Sequence, residues 1–364
     1  MDIRATLVDL MGIPGLSGHE DRVRRRISAM LDDIGISSRS DRLGNLIATL
    51  DGAADAPSVM LFTHMDQLGF VVRRVEAGGF IRIERLGGVP ERALASQAMT
   101  ICVGEGRDVA AVIANKNHHA TAPDEKYKVL PWRDLYLDAG FASKAEAEDA
   151  DVRIGTPVVY APRTMDLANG RIAGTSIDDR AGCAVLLDVA ERLAAMRERP
   201  TVHVVFTTQE EFNLRGALPV AQTLKPDIAI QIDLMLCSDT PDMEGFGEVT
   251  LGGGPGISLY SFHGRGTLNG LIPHPALVRL FEDTADAEAM PLQRSAAVGV
   301  LTDNSYVQLV GEGVAALDAG FPMRYSHSSL EVCDPHDLEQ LSVLLTAAIG
   351  RVDPSFSLDR DEVT

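Results

Sequence analysis

Val59-Met60-Leu61-Phe62-Thr63-His64-Met65-Asp66 opens as an apolar run and ends on a histidine and an aspartate. A short continuous apolar run flanked by helical stretches reads as a strand buried on both faces, as in a parallel sheet. Two later stretches repeat the pattern. Val202 to Phe206 leads into Thr207-Thr208-Gln209-Glu210-Glu211, and Ile228-Ala229-Ile230-Gln231-Ile232 leads into Asp233. In an open α/β sheet the ligand crevice lies beyond the carboxyl ends of the strands. Three strand ends that each carry a His or a carboxylate therefore converge on one crevice.

The sequence around these strands supplies the helices and one change of texture. Ser17-Gly18-His19-Glu20 fits a capping box ahead of a helix whose apolar positions are Val23, Ile27, Met30 and Leu31. Asp41-Arg42-Leu43-Gly44-Asn45 reads as a turn before the strand Leu46-Ile47-Ala48-Thr49-Leu50. From Gly69 to about Arg163 short β runs are punctuated by glycine, with a hairpin at Gly78-Gly79. The expected organisation is an α/β domain of residues 1–68 and 164–364, with a β-rich domain of residues 69–163 inserted. After the insert, Asp178 and Asp179 precede a helix with a stripe of Ala184, Leu187, Ala190, Leu193 and Ala194. Acids at a helix start are favourable on dipole grounds alone, and for Asp179 capping is the preferred role.

The chain has 364 residues, 45 % hydrophobic and 23 % charged, so one large domain with an insertion or two domains is expected. A net charge of −19 repels nucleic-acid phosphate and argues against a nucleic-acid partner. No apolar run approaches the roughly 20 residues needed to span a bilayer, and the first residues lack a signal peptide's basic start. No membrane association and a cytoplasmic location are expected. Cys102, Cys183, Cys237 and Cys333 are far apart and read as reduced thiols, neither a disulfide frame nor a structural zinc site.

The candidate chemistry resides in His64, Asp66, Asp178, Glu210, Glu211, Asp233 and His327. Two metals about 3.5–4 Å apart need a bridging carboxylate and further His or carboxylate ligands. Two histidines and three of the acids meet that need, with two acids left over. A ligating His donates its other ring N–H to an acceptor that fixes its tautomer, and Asp66 suits that part for His64. Of Glu210 and Glu211, one can bind metal while the other serves as general base. His118, His119 and His336 have no such company and read as structural or interfacial. Arg324 could favour an acidic substrate side chain or form a structural ion pair.

These motifs resemble those of the tetrahedral aminopeptidases, the metallopeptidases that include glutamyl, leucyl and deblocking aminopeptidases. The likeness runs nearly end to end. It includes Leu16-Ser17-Gly18-His19-Glu20, Asp41-Arg42-Leu43-Gly44-Asn45, His64-Met65-Asp66, Gly87-Gly88-Val89, Ile177-Asp178-Asp179-Arg180-Ala181-Gly182, Gln209-Glu210-Glu211, Gly253-Gly254-Pro255 and Tyr325-Ser326-His327-Ser328. The resemblance implies a zinc-exopeptidase-like mixed sheet flanked by helices, with the inserted β-rich domain serving dimerisation. It implies that His64, Asp178 and Asp233 hold one divalent ion and that Asp178, Glu211 and His327 hold another. Glu210 would then be the general base, and Asp66 would orient His64. Family members commonly build homo-oligomers, dimers assembling into dodecamers. Two departures stand out: Gln67 replaces a glutamate, and Asn213 replaces a glycine. Gln67 removes a negative charge near the site, which bears on substrate preference or metal affinity. Asparagine tolerates left-handed backbone, so Asn213 preserves the turn.

The expected activity is a metal-dependent aminopeptidase that removes N-terminal residues from peptides by metal-assisted hydrolysis. Zinc is the foremost candidate, with cobalt and manganese as alternatives, since His and carboxylate ligands suit all three. One rival is another hydrolase on this scaffold, such as a glycosidase or amidohydrolase. A glycosidase needs two carboxylates but no metal, so chelation separates the two. The other rival is a non-catalytic assembly protein, which would bind metal without turnover.

Overall fold

In the structure, a computed structural model that describes residues 1–263 and 270–362, the three apolar runs are neighbouring parallel strands. Val202–Thr207 pairs with Val59–His64, which pairs with Ile228–Leu236, which pairs with Ala315–Arg324. Register brings the chemistry level: Thr207 stands opposite His64, and Gln231 stands opposite Phe62, so Asp233 falls beside His64 two residues on. Among the described residues twelve strands join this sheet, and its flanks are antiparallel. Leu46–Leu50 pairs on one side, and Glu331–Cys333 with Ile172–Gly174 on the other.

Side-chain alternation along the strands creates two buried layers. Leu61, Val204 and Ile230 face the helices Ile3–Met11, Ile177–Ala195 and Pro335–Ile349, whereas Met60, Phe62 and Val205 face Ala217–Leu224. Every residue of Val59–His64 is buried, which explains its continuous apolar character. Each large side chain so buried contributes about 1.5–3 kcal/mol. The Ile177–Ala195 helix departs from the expected stripe. It lies between the sheet and neighbouring helices, so its middle is buried all round while Ala194 is exposed. Four-residue periodicity understates burial when a helix is enclosed.

The inserted β segment closes into a barrel of its own. Its strands, in order around the wall, are Gly69–Val75, Ile81–Leu86, Leu137–Asp138, Val109–Ile113, Ala98–Ile101 and Pro157–Tyr160. Phe70, Ile83, Ile101 and Val158 fill a core separate from that of the sheet. The hairpin at Gly78-Gly79 forms as expected, with Gly79 at φ +86°. All four cysteines are unpaired. Among the described residues no helix is long and apolar enough to cross a membrane.

The capping box at Ser17 does not form. Glu20 occupies the N-cap of Asp21–Asp33 without a side-chain cap hydrogen bond. Ser17 Oγ instead donates to Asp66 Oδ2 at 2.5 Å, and Glu20 Oε1 accepts from the amides of Gly18 and Gln209. Both side chains turn inward because buried acceptors and donors there outbid a solvent-exposed helix end.

Asn45 shows how the turn before Leu46–Leu50 reaches the site. Asp41 gathers the amides of Leu43, Gly44 and Asn45. The fully buried Asn45 side chain donates to Asp41 and to the Gly216 carbonyl, and accepts from Thr208 N at 3.0 Å. It thus fixes the strand end that leads to Glu210. Asn45→Ala orphans these buried groups and is expected to cost about 3 kcal/mol, read as a lower urea midpoint with an unchanged slope. A loss below about 0.5 kcal/mol contradicts this account.

Candidate metal centre

The crevice beyond the strand ends is a cavity of about 500 Å³ whose lining includes His64, Asp178, Glu210, Glu211, Asp233 and His327. The seventh predicted residue, Asp66, is fully buried behind them. All seven are therefore brought together.

Asp178 is the centre of the arrangement. Its Oδ1 is 3.1 Å from His64 Nε2, and its Oδ2 is 3.5 Å from His327 Nε2. Two sets of ligand atoms could each hold one ion: His64 with Asp178 and Asp233, and Asp178 with Glu211 and His327. Within each set the atoms lie within 4.8 Å of one another. Asp178 is common to both. The Asp178-Asp179 peptide is cis. Asp179 turns away: its carboxylate accepts from Gly182 N at 3.0 Å and from the Thr63 hydroxyl. The capping role expected of Asp179 fits this geometry.

The histidines are oriented from behind. His64 Nδ1 faces the Asp66 backbone carbonyl at 3.2 Å, nearer than the Asp66 carboxylate at 3.5 Å. His327 Nδ1 faces the carbonyl of Gly88 at 3.1 Å, so the barrel side contributes to the crevice. A Cβ at Gly88 would stand 2.8 Å from that ring nitrogen, so only glycine permits the approach. The Asp66 carboxylate has further partners: Oδ1 accepts from Glu210 N at 3.0 Å and Oδ2 from Glu211 N at 3.1 Å. Asp66 thus orders the glutamate pair as well as His64. Asn213, two residues on, has φ +66°, the left-handed turn expected of it.

Charge in the crevice is strongly unbalanced toward anions. Burial, then Asp233 and Glu211, pushes the Glu210 carboxyl well above the usual range. Burial and the nearby Asp179 and Asp178 do the same to Asp233. Burial raises Glu211 to about 7, with Asp178 adding to it. Burial opposes charge on His327, but Glu211, Asp178 and Glu331 raise it to about 9. Among the described residues, Glu211 Oε1 is buried and has no hydrogen-bond partner. An orphaned carboxylate oxygen beside two imidazoles and further acids fits divalent cations, which would supply the missing positive charge.

One further residue had no signal in the sequence. Glu331 is 2 % exposed and touches the site through backbone amides, as argued below. Arg180 is fully buried, and its Nη2 lies 3.5 Å from Gln67 Oε1. Gln67 also accepts from Gly15 N and donates to Ser176 Oγ, so it faces the packing behind the crevice. Arg324 forms a two-point ion pair with Asp239 at 2.8 and 2.6 Å, which settles its role as structural. His118, His119 and His336 are exposed and apart from the crevice.

A sequence profile described as M42 glutamyl aminopeptidase matches residues 44–344. The chain belongs to this family. As an M42 member it is an aminopeptidase and a hydrolase. Putative aminopeptidase SgcX of Escherichia coli K12 is 37 % identical over 367 residues, covering 100 % of this chain and 97 % of the relative. Aminopeptidase APDkam598 of Desulfurococcus kamchatkensis superimposes with a TM-score of 0.90 at 31 % identity, over 97 % of this chain and 96 % of its own. The Pyrococcus horikoshii TET1 peptidase, described as assembling into a tetrahedron or a large octahedral shell, has a TM-score of 0.84 at 27 % identity, over 95 % and 99 % of the two chains. The expected tetrahedral-aminopeptidase likeness and mixed α/β fold hold.

Proposed function

We propose that this M42 aminopeptidase hydrolyses N-terminal residues from peptides at a centre for two divalent ions. The observation that carries it is Asp178 set between His64 and His327, one oxygen toward each. His64, Asp178 and Asp233 would hold one ion, and Asp178, Glu211 and His327 the other. When bound, such ions polarise a carbonyl and acidify water. Zinc is the foremost candidate, with cobalt and manganese as alternatives.

The chain's own residues supply the rest. Glu210 lines the cavity and lies in neither set of ligand atoms, which leaves its carboxylate free to take the proton from attacking water and pass it to the departing amine. Asp66 holds Glu210 and Glu211 through their amides, so the base and its neighbour keep fixed directions. The excess of acids offers partners for a free N-terminal ammonium, which suits exopeptidase action. We further propose that the barrel is the dimerisation domain. It exposes Phe80, Val112, Val129 and Leu130, and the similar TET1 peptidase is described as assembling into a tetrahedron or a large octahedral shell.

The test is turnover of aminoacyl substrates and short peptides after stripping and restoring metal, with a mass measurement in solution. Cleavage of free N-termini that is lost on chelation and restored by zinc, cobalt or manganese is expected. Equal cleavage of N-acetylated peptides, or turnover indifferent to chelation, contradicts the proposal.

A further inference from the structure

We propose that Glu331 is a positioning residue that sets the metal position made by Asp178, Glu211 and His327. It rests on the two-ion reading above. Glu331 opens the short strand Glu331–Cys333, which lies between two strands that lead into the site. On one side Gly174 pairs with Glu331, and the chain continues from Gly174 to Asp178. On the other side Arg324 pairs with Val332, and the chain continues from Arg324 to His327. The Glu331 carboxylate spans the two exits: Oε2 accepts from Asp178 N at 3.0 Å, and Oε1 accepts from His327 N at 2.8 Å.

Three features point beyond a simple stitch in the fold. First, the carboxylate is 2 % exposed, and among the described residues no Lys or Arg pairs with it. A buried carboxyl group without a Lys or Arg partner is costly, so an apolar side chain would serve better if only packing were needed. Second, each oxygen accepts from the amide of a different proposed ligand, and an amide side chain would set its donor-only NH2 against one of those two amides. Third, His327 has φ +66°, a backbone conformation that a histidine holds only when its surroundings impose it. Glu331 on its amide and Gly88 on its ring are those surroundings. Asp66 does the same for Glu210 and Glu211, so each of the two buried carboxylates orders two site residues through their backbones.

The test is calorimetric titration of metal-stripped protein with zinc, elemental analysis of the metal retained, and the melting point of the metal-free form. Glu331→Gln is expected to weaken the ion of the His64, Asp178 and Asp233 position only a few-fold, since of those three ligands it touches Asp178 alone. The second ion should bind about 10–100-fold more weakly. The metal-free melting point should change little, because Gln keeps the size of the side chain and one of the two amide contacts. Glu331→Asp keeps the charge but draws the carboxylate back by one methylene, so the same selective weakening is expected. Unchanged binding of both ions by either variant overturns the assignment. So does equal loss of both ions with a lower metal-free melting point, the mark of a merely structural residue. Wild-type protein that takes up fewer than two ions overturns the two-ion reading itself, and the assignment with it.

Discussion

Glu210→Gln is expected to lower turnover by about 10²–10⁴ while leaving metal uptake intact. The substitution conserves size and shape, so the cavity and the amide contacts to Asp66 persist. What it removes is the ability to accept a proton. Glu210 is suited to that task because its carboxylate faces the cavity, and burial with Asp233 and Glu211 nearby raises its proton affinity against the opposing pull of His64. It lies in neither set of ligand atoms, unlike its neighbour Glu211. Hence the variant should separate rate from binding: kcat falls, KM stays within a few-fold, and two ions are still counted by elemental analysis. Near-normal turnover sinks the assignment. Loss of an ion alongside the rate would instead make Glu210 a ligand. Glu211→Gln is the counterpart, expected to weaken the ion shared with His327.

Much of this site was legible because strand geometry is short-range and periodic. His64, Glu210 and Asp233 each follow an apolar run, and parallel pairing then forces those ends to one edge of the sheet. Asp178 and His327 were harder. Asp178 follows the short antiparallel strand Ile172–Gly174, and His327 follows Ala315–Arg324, a parallel strand whose run is interrupted by Asp318, Gly320 and Pro322, so neither comes straight after a continuous apolar run and each gained its weight from the rest of the set. Glu331 was invisible because it acts through backbone amides, and nothing in its neighbours marks a carboxylate that caps two loops. Ser17 and Glu20 were misread for the same reason. Their spacing matched a local capping pattern, but long-range partners at Asp66 and Gln209 took the hydrogen bonds. Local motifs compete with tertiary contacts, and a buried acceptor wins when it would otherwise be left unpaired.

Asp178→Asn is expected to damage both ion positions at once, the second large effect. Its two oxygens face different histidines, so no other residue can substitute for it. Loss of an outer partner costs about 10–100-fold in metal affinity, and loss of a shared ligand should cost at least about 100-fold for each ion. At a free metal concentration of about 100 Kd, binding stabilises the fold by about 2.7 kcal/mol per ion. A 100-fold weaker Kd erases most of that for both ions, which should lower the melting point by on the order of 10 °C. Chelation of the wild type should produce a similar drop and abolish turnover, whereas chelation of the variant should change its melting point little. Asp179→Asn is the control that gives the result meaning. Asp179 is adjacent and equally buried, but its oxygens face Gly182 and Thr63 rather than the histidines. It should therefore keep both ions. If Asp179→Asn strips metal as thoroughly as Asp178→Asn, the shared-ligand assignment is wrong, and the effect belongs to the negative field of the pair rather than to the position of one carboxylate.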